Sequence, residues 1–374
     1  MFQNKKNNLT AASSAPEPGN ALARIFLKGV RPYLWIVFLI SVVYGQTLGF
    51  GFSYYDDDQL ILNNQAFIQD LSHAGQAFRQ DVLSNPKGLF YYRPLLTLSF
   101  MLDAQIGGAK PFIYHLTNLL VHILSCWALF VLLSKLTGQR SKSFYAVLIF
   151  AVHPALSQAV AWIPGRNDSL LALFLLAALA AFIRHWEGGK WFWFAVSQLL
   201  FMASLFTKET AVVFPLICLV YVCLLSKSCL KKRPTIILNL ACWALCILLW
   251  YLLREQAITL SGAWRGFTLF TAAEAAKGLL SYLGKLGLPF NLSVLPDIRN
   301  ISWHQGAAIV VLAAGSLIWL GLKNKRLAAF GLIWVVLFIM PVLTVVPGSK
   351  TFLEHRMYLP FMGILMIVLS LALE

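Results

Sequence analysis

Ten stretches of this chain are apolar over nearly the length that a helix needs to cross a bilayer. They lie near 33–52, 111–134, 143–163, 167–183, 191–207, 209–226, 235–253, 305–322, 327–346 and 359–373. A hydrocarbon core of about 30 Å takes roughly 20 residues at a rise of 1.5 Å each. The balance of residues agrees: 59% are hydrophobic, 12% are charged, and the mean hydropathy is +0.71. Soluble domains carry about a quarter charged residues. The expectation is therefore an all-α polytopic membrane protein of about ten spans.

The formal net charge of +15 raises nucleic acid as a partner, but the basic residues stand in short clusters between apolar runs, and no RNA- or DNA-binding module is visible. Membrane topology accounts for them instead. Residues 1–32 form a polar tail with Lys5, Lys6, Arg24, Lys28 and Arg31, and the apolar run after it lacks a small-residue cleavage site. It reads as an uncleaved start with the first helix as signal anchor. With the N-terminus cytoplasmic, 17 of the 30 basic residues and 3 of the 15 acids fall inside, which is +14 inside against +1 outside. Every short loop then obeys the positive-inside rule. The membrane is the bacterial inner membrane, or that of the endoplasmic reticulum in a eukaryote.

Two outer segments are long. Residues 53–110 contain two amphipathic stretches, 66–78 and 95–106, expected to lie on the membrane. Residues 254–304 contain an apolar piece, 272–290, that carries Lys277 and Lys285 and reads as interfacial or re-entrant; as a span it would invert everything downstream. The six cysteines, Cys126, Cys218, Cys223, Cys229, Cys242 and Cys246, show neither zinc spacing nor a disulfide framework. No internal repeat is visible.

The first outer loop opens with YYDDDQLIL, residues 54–62. Three consecutive carboxylates at a membrane surface repel one another, and a low dielectric raises the pKa of at least one of them. Asp56, Asp57 and Asp58 suit a site that takes a proton from a hydroxyl or holds a metal ion. Asp also favours loop starts and helix N-caps, which is the plain alternative.

Other ionisable groups recur at the outer ends of the spans, where charge is costly and marks a site or pathway. Arg93 lies in YYRPLL; His115, Asn118 and His122, in HLTNLLVH, share one helical face. The stretch HPALSQAVAWIPGRND supplies His153, Arg166 and Asp168, with Arg166 and Asp168 a candidate pair at the outer surface. Lys208 and Glu209 stand in TKET, and Glu354, His355 and Arg356 in FLEHRMYLP. Singly these are mostly snorkelling or structural charges. All of them fall on the side of the triplet.

Carboxylates opposite Arg, Lys and His in an outer-facing pocket suit sugar transfer from a lipid-linked phosphate. The phosphate is gripped by Arg or Lys, and a carboxylate removes the proton of an attacking hydroxyl. Such a transition state has oxocarbenium character, and a single displacement inverts the anomeric centre.

An acidic pair after the first span resembles the GT-C glycosyltransferases. More narrowly, YYDDDQLILNN, YRPL, HLTNLLVH, HPALSQAVAWIPGRND, FTKET and EHRMYLP, in this order over about residues 33–362, resemble the membrane half of the transmembrane and tetratricopeptide-repeat O-mannosyltransferases and their bacterial relatives. The resemblance implies a GT-C helical bundle, a polyprenyl- or dolichyl-phosphate sugar donor, transfer of mannose or another hexose to an extracytoplasmic hydroxyl, and a Ser or Thr of protein as acceptor. It maps the acidic pair to Asp56 as base and Asp57 as its partner. Arg93, Arg166, Lys208 and Arg356 become the donor-phosphate candidates, with Asp58, His115, His153, Asp168, Glu209, Glu354 and His355 as the supporting pocket. The Asp triplet has donors for a divalent cation, but no metal or other cofactor is assigned.

Residues 33–374 thus form one membrane glycosyltransferase module, and the tetratricopeptide repeats of the family are absent from the sequence. One rival keeps the donor and takes a glycolipid or cell-wall glycan as acceptor. A non-enzymatic rival is a lipid-sugar transporter or flippase. Against transport, the charges gather at one face instead of the midplane, and no broken-helix pair recurs in two halves.

Overall fold

The computed structural model describes residues 26–82, 91–226, 233–259, 268–269, 271–297, 302–345 and 351–371. The tail as far as residue 25, Cys229 and the inner-loop residues Lys227, Lys231 and Lys232 lie outside the described residues, as does Glu374.

The described chain is mainly helical, with a two-residue antiparallel pair, β1 (Thr268–Leu269) with β2 (Thr344–Val345), and isolated bridges at Asp297–Thr351 and Leu322–Leu371. Helix α1 spans Arg31–Tyr44 and continues into a 3-10 turn, Gly45–Gly49. Short helical turns fill the first loop before α2 (Pro94–Gly107), and α3 (Pro111–Thr137) is one of the two longest helices. Next come α4 (Arg140–Val152), α5 (Ser157–Ala161), α6 (Arg166–Gly188), α7 (Trp191–Thr207), α8 (Phe214–Leu224) and α9 (Arg233–Thr259). The second long loop carries α10 (Ala272–Gly287); then follow α11 (His304–Leu320), α12 (Lys325–Ile339) and α13 (Tyr358–Leu369).

Five helical stretches among the described residues are long and apolar enough to cross a membrane: Arg31–Gly49, Pro111–Thr137, Ile163–Gly188, Arg233–Ile258 and Lys325–Val342. The bent pair of α4 with Pro154–Ala161 makes a sixth. The protein is an all-α membrane protein. Helices Trp191–Thr207, Glu209–Leu224 and His304–Leu320 are apolar but shorter.

Local sequence explains the breaks that matter. Pro disfavours the helical region for the residue before it, so His153, before Pro154, is extended and the helix axis turns by 57°. The chain turns again at Trp162, also extended, before Pro164 and Gly165 start α6. A Cβ on Gly165 would collide with the Gln158 carbonyl, so this turn needs glycine. Lys208 is extended between α7 and the turn that leads to α8.

Helices α3 and α6 pack together at the centre, with α7 against α6 and α4 against α3; α12 pairs with α13, and α10 with α11. Gly331 and Gly363 let α12 and α13 touch, since a Cβ on either would stand 2.6 Å from the other's carbonyl oxygen. Small residues at helix crossings do this in membrane bundles. The core runs through α1, α3, α4, α6, α8, α12 and α13, with Leu129, Phe130, Phe144, Phe150, Leu175 and Met362 fully or almost fully buried.

The bundle has two unlike ends. One carries Lys135 paired with Glu187 at 2.6 Å, and Arg140 donating to the Gly29 carbonyl at 2.8 Å. The other holds the start of α6, the end of α7, the end of α12 and the start of α13, and there the acidic loop and the remaining ionisable motifs meet. The stretches expected as amphipathic appear as Gln65–Ile68 with the turn Leu71–Phe78, and as α2. The 272–290 piece is α10, amphipathic and begun by a reciprocal Thr271–Glu274 capping box.

Candidate active site

A cavity of about 230 Å³ opens at this second end. Its polar wall is Asp56, Arg93, Asn167, Asp168, Lys208, Glu209, His355 and Arg356. Tyr55, Tyr91 and Trp162 supply aromatic faces, and Phe338, Pro341, Val342, Leu359 and Pro360, from the ends of α12 and α13, form an apolar side. Residues from five separate sequence motifs therefore share one space.

The acidic loop reaches the cavity through a strained residue. Asp56 has φ of 63°, in the left-handed region that non-glycine residues rarely occupy and that costs of order 1 kcal/mol or more. Asp57 then starts a helical turn that runs into the π-helical turn Asp58–Leu62. The reversal sends consecutive carboxylates to different places: Asp56 lines the cavity, while Asp57, 1% exposed, accepts from Ser53 N at 2.6 Å and Ser53 Oγ at 2.9 Å. Burial and the Asp58 carboxylate raise the Asp56 pKa, against the pull of Arg93. Burial pushes Asp57 up to about 6 despite the Ser53 bonds. Asp58 Oδ1 is buried without a hydrogen-bond partner.

The cations come in two pairs and a single. Arg93, at the N-cap of α2, grips Glu209 with Nη2 at 2.8 Å and Nε at 3.3 Å, and stacks on Tyr91 at 4.2 Å. Lys208 Nζ donates to Asp168 Oδ1 at 2.7 Å and Asn167 Oδ1 at 3.0 Å. Burial lowers the Lys208 pKa, with Arg93 adding to the effect and Asp168 opposing it. Arg356 also lines the cavity and makes no ion pair among the described residues. His355 Nδ1 meets Gln158 Oε1 at 2.9 Å, and burial holds its pKa down at about 3, so its ring is neutral. No group of three or more His, Cys, Asp or Glu among the described residues is arranged to hold a metal ion.

Arg166 does not line this cavity. Its guanidinium is fully buried and donates to Asn118 Oδ1 at 2.6 Å, Ser99 Oγ at 3.0 Å and the Tyr114 carbonyl at 2.7 Å. Its ion-pair partner is Asp103 of α2, at 2.6 Å, and not Asp168. Residues two apart on a helix do not face each other, so Arg166 and Asp168 point to different neighbours. Asn118 Nδ2 lies within 3.3 Å of the carbonyls of Val160, Trp162 and Ile163. Arg166 and Asn118 thereby fix the turn that presents Trp162 to the cavity.

Five more expected residues stand outside it: Asp57 and Asp58, and three from other elements. His153 joins the broken helix to α10 through the Leu286 carbonyl at 3.0 Å. Glu354 pairs with Lys285 of α10 and accepts from Ser293 N at 2.8 Å. His115 faces a second cavity with Asp57. The motif reading passed over Tyr55, Tyr91, Trp162, Asn167, Gln158 and Lys285. All but Lys285 stood inside quoted motifs, and Lys285 was visible as a charge in an apolar stretch.

Comparison with known proteins adds to this geometry. Residues 94–252 match the family model described as dolichyl-phosphate-mannose-protein mannosyltransferase, which is less than half of the chain. Protein O-mannosyl-transferase TMTC2 of Homo sapiens is 36% identical over 189 residues, 48% of this chain and 22% of that protein. Protein O-mannosyl-transferase Tmtc1 of Drosophila melanogaster is 34% identical over 184 residues, 48% of this chain and 21% of its own length. The chain resembles the protein O-mannosyl-transferases. Protein O-mannosyl-transferase TMTC3 of Homo sapiens, 30% identical over 207 residues, covers 54% of this chain and 22% of that protein. The chain thus spans about a fifth of the length of the curated relatives it matches. No solved structure matches it.

Proposed function

We propose that this chain is the membrane module of a glycosyltransferase that moves a hexose, mannose by its resemblance, from a polyprenyl- or dolichyl-phosphate carrier to a Ser or Thr hydroxyl of protein. The observation that carries the reading is the placement of Asp56, at positive φ, in one cavity with Arg93, Lys208 and Arg356. Counting the three shorter apolar helices and α13 as spans gives ten. The positive-inside rule then puts the N-terminus in the cytoplasm and the cavity on the extracytoplasmic side.

The charges of the cavity favour Arg356 as the main phosphate grip. Glu209 and Asp168 already offset Arg93 and Lys208, so an incoming phosphodiester adds its negative charge where Arg356 is the cation without an ion pair among the described residues. The apolar side, from Phe338 to Pro360, gives the first isoprene units a surface. Asp56, its pKa raised, takes the proton as the acceptor oxygen bonds to the anomeric carbon. The bond from that carbon to the phosphate oxygen breaks with its electron pair, and the carrier leaves as polyprenyl phosphate. Neutral His355 and Trp162, with ring centroids 5.5 Å apart, border the space for the sugar. Arg166 and Asn118 hold the scaffold.

The test is transfer of radiolabelled mannose from polyprenyl-phosphate mannose in membranes to Ser/Thr peptides and to endogenous glycolipid. Asp56→Asn is expected to lower transfer by about 10²–10⁴ at unchanged expression, and Asp57→Asn to impair it severely. Undiminished transfer in both variants removes the mechanism. Label appearing in glycolipid alone selects the rival acceptor.

A further inference from the structure

The second cavity, about 340 Å³, lies at the lower end of the size range of ligand pockets. Phe50, Ala161, Ile163 and Val294 make it largely apolar, and Asp57 and His115 are its ionisable groups. Tyr55 and Trp162 line both cavities, with ring centroids 5.4 Å apart, and Trp162 Nε1 donates to the Tyr55 carbonyl at 3.0 Å. The two chambers therefore meet at an aromatic wall whose backbone leads directly into Asp56.

Asp57 supplies an independent sign of a ligand. Its Oδ2 is taken by Ser53, whereas Oδ1 is buried with no hydrogen-bond partner. A buried carboxylate oxygen without a donor is costly, and an N–H from outside the fold would relieve it. Asp56 and Asp57 are consecutive, so their Cα atoms are about 3.8 Å apart, yet they serve different chambers. A group bonded to Asp57 is thus held within a residue's length of the base.

We propose that this chamber is an acceptor subsite, which takes the apolar residue flanking the accepted Ser or Thr of an extended peptide, with a peptide N–H donating to Asp57 Oδ1. The inference rests on the transfer reading and names the acceptor for it. Successive side chains of an extended peptide point to opposite sides. A peptide lying over the Tyr55–Trp162 wall therefore sends its hydroxyl toward Asp56 and its neighbour into the apolar chamber. A glycolipid headgroup, polar all round, would find few partners there.

Filling the chamber tests this. Ala161→Phe, and Ser157→Phe at the exposed rim, are assayed with two Ser peptides that differ in a flanking Leu or Gly, and donor cleavage by water is followed in the absence of peptide. The expected result is a KM at least tenfold higher for the Leu peptide, a smaller change for the Gly peptide, and donor cleavage within about twofold of wild type. An unchanged Leu-peptide KM in both variants, or a wild type that glycosylates only lipid, overturns the subsite while leaving sugar transfer intact. A wild type that cleaves no donor overturns the transfer reading, and the subsite with it.

Discussion

Two arginines in this bundle, one sealed in the core and one half-buried at a cavity wall, make opposite use of the same chemistry. Arg166 meets a carboxylate, an amide oxygen, a hydroxyl and a carbonyl, and is sealed at 0% exposure between α2, α3 and α6. Arg93 also grips a carboxylate, but at the wall of a cavity, with Lys208 and Arg356 beside it. A buried charge is tolerated when its partners are complete, and removing one partner costs about 3–5 kcal/mol. The sealed centre therefore has no capacity left for a ligand. The open one keeps capacity at Arg356 and at Asp56.

The sharpest way to break the contrast is to remove one group from each centre. Asp56→Asn is expected to lower transfer by about 10²–10⁴, the range for a lost general base, with the melting temperature of detergent-purified protein unchanged. Arg166→Met should do the reverse: a loss of about 3–5 kcal/mol in stability, as Asp103 is left unpaired, and little folded protein to assay. Thermal unfolding beside a transfer assay decides it. A stable, inactive Arg166→Met protein would move Arg166 from scaffold to site.

Within the open centre, Arg356→Gln should raise the KM for donor about 10–100-fold, the worth of a charge-assisted hydrogen bond, at similar KM for peptide. Arg93→Gln is expected to cost stability as well, because Glu209 loses both of its bonds from the guanidinium. Equal effects of the two changes on donor KM would argue that the pairs open on binding. Lys285→Ala tests the support from behind. It leaves Glu354 short of a partner, costs about 1–3 kcal/mol, and loosens the segment that carries His355 and Arg356. Arg356 placement, read as donor KM, should recover in Lys285→Arg.

The comparison also shows what could be read ahead of the structure. Charges are few in a chain that is 59% hydrophobic, so those at the outer helix ends stood out, and seven of the thirteen expected side chains share the cavity. Which charge meets which was hidden, because the pairs join distant positions: Asp168 and Lys208 are 40 residues apart, Asp103 and Arg166 63, and Arg93 and Glu209 116.

 Lys208 also reaches 41 residues back to its second partner, Asn167. Aromatic residues are so common here that Tyr55, Tyr91 and Trp162 gave no contrast with the core. The left-handed turn at Asp56 was hidden for another reason: a residue's identity alone seldom announces a strained backbone.

The smallest expected effect, pH dependence, separates the two consecutive acids from the sealed centre. A base must be ionised to take a proton, and burial raises both Asp56 and Asp57, the latter to about 6. Transfer should therefore fall on acidification already above the ordinary carboxylate range, as Asp56 takes up its proton, by at most tenfold per pH unit. Stability should move the other way. Asp57 has a folded pKa above its ordinary 3.8, so the folded state binds its proton more tightly than the unfolded chain does. This group's contribution is then largest at low pH, declines as pH rises from about 4 to about 6, and is constant above that. Asp57→Asn, which cannot ionise, should flatten that part of the melting-temperature profile while transfer keeps the pH dependence due to Asp56. A wild-type profile with activity and stability rising together through pH 6 would place the titrating group elsewhere and leave Asp57 without the buried, half-satisfied position that distinguishes it.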